Sequence, residues 1–172
     1  MKLIIIGFMA SGKSTMAKIL SQKWQLPSHD LDQMVQQNAG MSIPEYFKKY
    51  DEAHFRALET DTLGMALKQT GILSTGGGTP MREVNFDAIQ NQSAPVVFLN
   101  ASDQTIQQRL IHDGASSRPL FQKLGMDGMM QLKHRRQLTY ERLADRIINV
   151  NNENPVFNAD RLVDKLGMVT NG

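Results

Sequence analysis

The chain has 172 residues, of which 41% are hydrophobic and 21% are charged, and its formal net charge is +2. These values are typical of one globular domain and give no support for nucleic-acid or membrane binding. The absence of cysteine excludes disulfides, thiolate metal sites and thiol catalysis. Only four consecutive apolar residues precede Gly7, which does not match a signal peptide. We therefore expect a single cytoplasmic domain over residues 1–172 that binds neither nucleic acid nor membrane. We further expect the protein to act as a monomer.

The N-terminal segment predicts a phosphate-binding loop between a strand and a helix. Residues 3–6 are an apolar run rich in β-branched side chains, as in a buried strand. The next eight residues, GFMASGKS, fit the P-loop pattern G-x-x-x-x-G-K-[ST], and a helical pattern of apolar residues follows. In this motif Lys13 reaches the β- and γ-phosphates, and the Ser14 hydroxyl binds Mg²⁺. The backbone N–H groups of such a loop bind the phosphates of ATP. In this chain we expect the ATP-binding residues to be Ala10, Ser11, Gly12, Lys13, Ser14 and Thr15.

Two carboxylates follow, Asp30 and Asp32, with one residue between them. In an extended segment both would lie on one side. One could then hold Mg²⁺ through water while the other accepted hydrogen bonds from substrate hydroxyls. The same pattern fits a helix N-cap followed by an acidic first turn, which is the commoner arrangement. The local sequence leaves both interpretations open.

Residues 31–69 have the pattern of consecutive helices with no strand between them, inserted into an otherwise alternating chain. Within this insertion Arg56 could bind a carboxylate with two hydrogen bonds, and Glu59, one helical turn away, could orient it. Taken in isolation, the pair is better explained as a solvated surface ion pair of little energetic weight. A helical insertion of this kind is expected in a small-molecule kinase, where it closes over the acceptor.

After residue 69, apolar strands alternate with amphipathic helices. Strands are predicted at 72–75, 96–99 and 146–150, and helices at about 83–91, after Ser102 and at about 158–166. This alternation predicts a three-layer α/β/α fold with a parallel sheet covered on both faces. Ligands of such sheets bind at the carboxyl ends of the strands, where the P-loop and the triple glycine of residues 76–78 lie. The glycines could allow close approach to a ligand or form only a flexible turn.

Residues 113–125 are rich in Gly, Ser, Ala and Pro, which suits a mobile lid over the phosphates. Arg118 in this segment could be a transition-state cation delivered by lid closure, although a lone loop arginine usually serves only solubility. The basic cluster at residues 133–136 lies on a helix predicted over 127–145. No interleaved aromatic residues support nucleic-acid binding there, and the four histidines show no metal-ligand spacing.

In their order and spacing, these segments resemble the shikimate kinase family along nearly the whole chain. The matching stretches are GFMASGKST, DLD, GMSIPEYF, FRALE, ILSTGGG, VVFL, RPLF and RQLTYERLAD. The resemblance implies a P-loop kinase architecture with a five-stranded parallel sheet, a substrate-binding insertion at about 31–69 and a lid at about 113–125. It also implies transfer of the γ-phosphoryl group of ATP to the 3-hydroxyl of shikimate, in aromatic amino acid biosynthesis.

The resemblance implies catalytic roles for Lys13, Asp32 and Arg118. Asp32 would accept hydrogen bonds from shikimate hydroxyls and position or deprotonate the nucleophile. Arg118 would close with the lid onto the phosphates of ATP. Mg²⁺ would be bound by Ser14 and would lie near Asp30.

Further residues are implied in binding the acceptor. Arg56 and Arg136 would bind the carboxylate of shikimate, with backbone groups of Gly77 and Gly78 beneath its ring. An adenylate acceptor would instead require a phosphate clamp and a base-recognition pocket.

Arg109 and Pro155 would flank the adenine of ATP, since they occupy the helix and the late loop that do so in the family. Three positions depart from the family pattern. Ala10 replaces a third P-loop glycine, Leu138 replaces a proline, and His29 lies where an aromatic residue is common.

Three other functions are compatible with parts of the pattern. The first is a kinase of another small hydroxy acid, such as gluconate, on the same scaffold. The second is a nucleotide-binding regulator without phosphotransfer, and the third is a nucleic-acid-dependent ATPase. The paired arginines favour shikimate over gluconate, and an intact Lys13, Ser14, Asp32 and Arg118 argue against a silent regulator. The single short basic cluster argues against a nucleic-acid partner.

Overall fold

The computed structural model describes residues 1–113, 119–151 and 154–167. Strands and helices alternate through most of these ranges. The strands are β1 Leu3–Ile6, β2 Ser28–Asp30, β3 Ile72–Ser74, β4 Val96–Asn100 and β5 Arg146–Asn149. The helices are α1 Lys13–Trp24, α2 Leu31–Ala39, α3 Ile43–Lys49, α4 Glu52–Leu67, α5 Glu83–Gln90, α6 Asp103–His112, α7 Pro119–Leu143 and α8 Pro155–Leu166.

The five strands form one parallel sheet in the order β2-β3-β1-β4-β5. The central strand β1 pairs with β3 on one side, with Ile5 opposite Ser74, and with β4 on the other, with Ile5 opposite Val97. The carboxyl end of β1 is therefore where the strand order reverses, which is the usual ligand site of such sheets. The α/β fold with a five-stranded parallel sheet that the sequence predicts is confirmed.

The centre of the sheet is buried on both faces. Residues Leu3–Ile6 are fully inaccessible to solvent, and Ile72 and Leu73 of β3 are equally buried. A strand covered by helices on both sides cannot alternate polar and apolar side chains, and this explains the continuous apolar runs in the sequence. Among the described residues, no helix is long and apolar enough to cross a membrane.

The helical insertion consists of α2, α3 and α4, and each helix has its own N-terminal cap. Asp30 caps α2 and Asp51 caps α4, each through a carboxylate that accepts a backbone hydrogen bond. Ser42 and Glu45 form a capping box at the start of α3. These local signals explain why helices form here although the rest of the chain alternates with strands.

The helix predicted over 127–145 corresponds to the part of α7 that follows Gly125 and ends at Leu143, and residues 119–124 of the predicted lid segment form a helical segment before it. Pro119 supplies a suitable first helical residue, and Gly125, with φ 63° and ψ −176°, interrupts the helix where the sequence suggested its start. Helix α8 begins at Pro155 instead of residue 158 because the Asn154 side chain accepts a hydrogen bond from the Val156 amide.

Candidate active site

The P-loop runs from the end of β1 into α1 and needs unusual backbone conformations. Gly7 has φ 148°, and a Cβ there would lie only 2.7 Å from the carbonyl oxygen of Leu99. Gly12 has φ 96°, while Ala10 adopts a left-handed conformation with φ 61°. Since an L-residue pays roughly 1 kcal/mol for that conformation, Ala10 introduces strain that glycine would not.

Two polar side chains of the P-loop are buried where phosphate is expected. The Lys13 ammonium donates a hydrogen bond of 2.8 Å to the carbonyl oxygen of Phe8 and is 8% exposed. The Ser11 hydroxyl is buried and has no hydrogen-bond partner among the described residues. A buried hydroxyl without a partner is costly, so the loop is suited to receive an oxygen-rich ligand.

Asp30 lies at the carboxyl end of β2 and contacts the P-loop. One carboxylate oxygen accepts hydrogen bonds from the Ser14 hydroxyl and, at 3.2 Å, from the Ser74 hydroxyl. The other accepts from the Gln33 amide at 3.2 Å. The N-cap interpretation of this segment is therefore correct, yet the capping residue also faces the P-loop. A hydroxyl and a carboxylate in contact are hard oxygen donors that fit Mg²⁺, which binds few protein ligands and keeps waters and phosphates.

Asp32 lies in the first turn of α2, where water reaches it, but protein atoms crowd its carboxylate. One oxygen would lie 2.7 Å from a Cβ added at Gly76, which shows how closely the glycine turn approaches it. Partial burial, followed by the negative charge of Asp30, raises the pKa of Asp32 to about 6, and the positive charge of Lys13 opposes this shift. Asp32 is thus suited to exchange a proton near neutral pH.

Arg56 is held by a buried carboxylate. Its guanidinium donates a hydrogen bond of 2.7 Å to Glu59, whose other oxygen accepts one of 2.7 Å from the Thr79 hydroxyl. The Glu59 side chain is only 2% exposed. The interpretation of Arg56 and Glu59 as a solvated surface ion pair, which the local sequence favoured, is therefore wrong. A Cβ added at Gly78 would lie 2.8 Å from Nη2 of Arg56, so this glycine makes room for the guanidinium.

Arg136 lies on α7 at the same pocket as Arg56. The pocket has a volume of about 480 Å³ and is lined by Glu52, Ala53, Arg56, Met81, Arg82 and Arg136. The guanidinium of Arg136 lies over the Phe8 ring, 5.9 Å from its centroid. Burial lowers the pKa of Arg136, and the positive charge of Arg56 contributes to the same direction. Two converging cations of this kind suit a ligand with a carboxylate.

Arg109 joins the P-loop to the segment that precedes α8. Its guanidinium donates to the carbonyl oxygen of Ala10 at 3.1 Å and to that of Asn151 at 2.8 Å. Pro155 is exposed at the start of α8. Arg118 lies outside the described residues.

Sequence reasoning missed three polar groups of the site. Ser74 binds Asp30, Thr79 binds Glu59, and the buried Tyr140 donates a hydrogen bond of 2.5 Å to the carbonyl oxygen of Gly77. The sequence could have indicated Tyr140, because it lies four residues after Arg136 and therefore on the same face of the predicted helix. Ser74 and Thr79 follow an apolar strand and the triple glycine, and their partners come from distant segments.

A P-loop on the central strand of a parallel sheet, beside a pocket lined by three arginines and one carboxylate, defines an ATP-dependent kinase of a small molecule. A model of the shikimate kinase family matches residues 9–167. The chain therefore belongs to the shikimate kinase family, and it is an enzyme that phosphorylates shikimate with ATP.

Individual relatives agree with this assignment. The chain is 39% identical to the shikimate kinase of Limosilactobacillus fermentum over 95% of this chain and 94% of that relative. It is 34% identical to the shikimate kinase of Lactococcus lactis over 98% of this chain and 99% of that relative.

Solved structures give the same result. A shikimate kinase from Acinetobacter baumannii in complex with shikimate superposes with a TM-score of 0.88 at 26% identity, over 95% of this chain and 91% of that one. The shikimate kinase of Bacteroides thetaiotaomicron gives 0.84 at 27% identity, over 96% of this chain and 98% of that one. These similarities confirm the family that the sequence resembles and give no support to a gluconate kinase or a silent regulator.

Proposed function

We propose that the pocket between α4 and α7 binds the carboxylate of shikimate and presents its 3-hydroxyl to the γ-phosphate of ATP on the P-loop. The observation that carries this proposal is the convergence of Arg56 and Arg136 on one pocket. Like charges repel, so two guanidiniums in one partly buried pocket are stabilised when an anion lies between them.

The acceptor side of the site is built for an anion with hydroxyl groups. Arg56 and Arg136 supply planar donors for a carboxylate, and Asp32 supplies an acceptor for hydroxyls. Gly77 and Gly78 carry no side chains that would keep the ring away from the backbone. A Cβ at Gly77 would lie 3.2 Å from the Met9 nitrogen, and one at Gly78 would lie 2.8 Å from Nη2 of Arg56, so there is little room for larger residues. Because Glu59 orients Arg56, the guanidinium of Arg56 is already in position before the ligand binds.

The nucleotide side neutralises the phosphates of ATP. The backbone N–H groups of the P-loop point at the phosphates, and Lys13 exchanges its bond to the Phe8 carbonyl for phosphate oxygens. The Ser11 hydroxyl gains a partner there. Ser14 and Asp30 would hold Mg²⁺, which supplies positive charge to the β- and γ-phosphates when bound. Arg118 would add a further cation from the lid.

In the reaction, the 3-hydroxyl oxygen forms a bond to the γ-phosphorus while the bond from that phosphorus to the β–γ bridging oxygen breaks. ADP leaves with the bridging oxygen, and the hydroxyl proton passes to Asp32. A carboxylate whose pKa is raised to about 6 accepts this proton better than an ordinary aspartate does. Alignment and charge neutralisation account for most of the catalysis in such transfers.

Three further assignments complete the proposal. Arg109 and Pro155 flank the adenine, which is supported by the bonds that Arg109 makes to the P-loop and to Asn151. The enzyme acts as a monomer in the cytoplasm. The monomer is tested by light scattering at micromolar concentration, where a dimer mass would contradict it.

The position of phosphorylation tests the proposed function. The product of a reaction with Mg-ATP and shikimate is examined by correlation of ³¹P with ¹H in NMR spectra. We expect a coupling from phosphorus to the proton at carbon 3. Phosphate on another hydroxyl, or no phosphorylated acceptor, would contradict the proposed arrangement of Asp32 and the two arginines.

A further inference from the structure

The side chain of Tyr140 lies buried under the acceptor pocket. It is 1% exposed, and its ring packs against Phe98 with centroids 5.0 Å apart. Its hydroxyl donates to the carbonyl oxygen of Gly77 at 2.5 Å. Arg136 lies one turn earlier on α7, and the interaction between its guanidinium and the Tyr140 hydroxyl opposes the effect of burial on the pKa of each group. One buried hydroxyl thus lies between two groups of the proposed acceptor site.

We propose that Tyr140 is a positioning residue for the acceptor carboxylate, because its hydroxyl fixes both the Gly77–Gly78 peptide and the Arg136 guanidinium. This inference rests on the proposed function, which places the carboxylate at Arg136 and the ring above the glycines. Tyr140 itself does not touch the acceptor.

Tyr140 restricts the orientation of the peptide between Gly77 and Gly78. In a planar trans peptide the N–H group points opposite to the carbonyl group. A carbonyl held down by Tyr140 therefore directs the N–H of Gly78 away from α7 and its buried tyrosine. Among the described residues, no group accepts a hydrogen bond from this N–H. A glycine peptide has wide conformational freedom, so without the phenol the same peptide could rotate.

Tyr140 also lies beside Arg136 on α7. Residues 136 and 140 lie one turn apart on α7, so their side chains are neighbours on the helix surface. Arg56 repels Arg136 across the pocket, while the Phe8 ring holds the guanidinium on another side. An oxygen with lone pairs beside Arg136 opposes that repulsion. Burial raises the pKa of Tyr140 to about 12, so the hydroxyl stays protonated and can donate to Gly77.

The test is Tyr140→Phe, which keeps the ring against Phe98 and removes only the hydroxyl. We expect the KM for shikimate to rise about fivefold to tenfold, since one hydrogen bond that orients a charged clamp is lost. The KM for ATP should stay within about twofold, because the nucleotide contacts lie on the P-loop. Ile89→Val, a core change in α5, is the matched control for lost stability and should leave both KM values unchanged.

An acceptor without the carboxylate separates positioning from general damage. In the primary-alcohol analogue of shikimate, a CH₂OH group replaces the carboxylate. With this analogue the rise in KM caused by Tyr140→Phe should be clearly smaller than the rise with shikimate, because the contribution through Arg136 and the carboxylate is absent. An equal rise for shikimate and ATP, or the same rise for shikimate and the analogue, would overturn the inference and leave Tyr140 a structural residue. Failure of the wild-type enzyme to phosphorylate shikimate would instead contradict the proposed function.

Discussion

Replacement of Gly78 by alanine should weaken shikimate binding specifically. Gly78 has φ −95° and ψ −11°, a conformation that alanine also adopts, so the backbone does not need to change. The new methyl group would instead meet the guanidinium of Arg56. The substitution therefore perturbs one end of a long side chain in an otherwise intact fold.

The size of the effect follows from the distances at Gly78. The added Cβ would lie 2.8, 3.0 and 3.1 Å from Nη2, Nη1 and Cζ of Arg56, whereas ordinary contact begins at 3.4 Å. The guanidinium must move by at least about 0.6 Å, which disturbs its 2.7 Å bond to Glu59. A misplacement of about 1 Å in a positioning group can cost about 100-fold. We therefore expect the KM for shikimate to rise about tenfold.

The assay is steady-state ADP release with each substrate varied in turn, together with thermal unfolding. Gly64→Ala is the matched control, because Gly64 lies on the same helix as Arg56 and a Cβ there meets no atom within 4 Å. The control should keep both KM values and gain about 0.5–1 kcal/mol of stability, since alanine is the better helix former. An unchanged KM for shikimate in Gly78→Ala, or an equal rise for ATP, would refute the argument that Arg56 must keep its position.

Three further substitutions test other parts of the account. Asp32→Asn should keep ATP affinity and lose most turnover, because the amide cannot take the hydroxyl proton; near-normal turnover would remove Asp32 from the mechanism. Arg136→Ala should raise the Kd for shikimate, measured by calorimetry, by about 10- to 100-fold with little change in the Kd for ATP, since it removes charge-assisted bonds of about 1.5–3 kcal/mol. An equal loss of affinity for both ligands would contradict its role. Asp103→Asn should destabilise the fold by about 1–2 kcal/mol at pH 7, because Asp103 accepts bonds of 2.7 Å from the buried Lys133 and 2.6 Å from His134. The Lys133 bond holds the pKa of Asp103 below its usual range, so this stabilisation is present above about pH 4 and is lost as pH falls through the folded-state pKa; a difference in Tm that does not shrink as the pH is lowered from 7 would contradict it.

The P-loop and the sheet class could be predicted from sequence because contiguous residues determine them. Strand, glycine turn and helix follow one another at the N-terminus, and continuous apolar runs indicate a parallel sheet. The strand order β2-β3-β1-β4-β5 is different in kind, since it depends on pairing between segments up to about 90 residues apart, as between Ile4 and Val96. Local periodicity contains no information on that pairing.

The buried environment of Arg56 and Glu59 could not be predicted from the local sequence. The spacing of Arg56 and Glu59 fits a surface pair and a buried pair equally well. Thr79, which lies 20 residues later in the chain, and the packing of α4 bury Glu59. The local sequence around Asp30 and Asp32 was equally ambiguous, because Asp30 is both the N-cap of α2 and a contact of Ser14. One local pattern thus carried two compatible roles where the sequence suggested a choice.

The most direct test of the central claim is ADP release from Mg-ATP with shikimate, measured beside gluconate, AMP and no acceptor. The account predicts rapid turnover with shikimate and only background release in the other three reactions. Turnover with gluconate or AMP in place of shikimate would contradict the assignment of Arg56 and Arg136 to the shikimate carboxylate. Tight ATP binding without turnover on any acceptor would contradict the kinase itself.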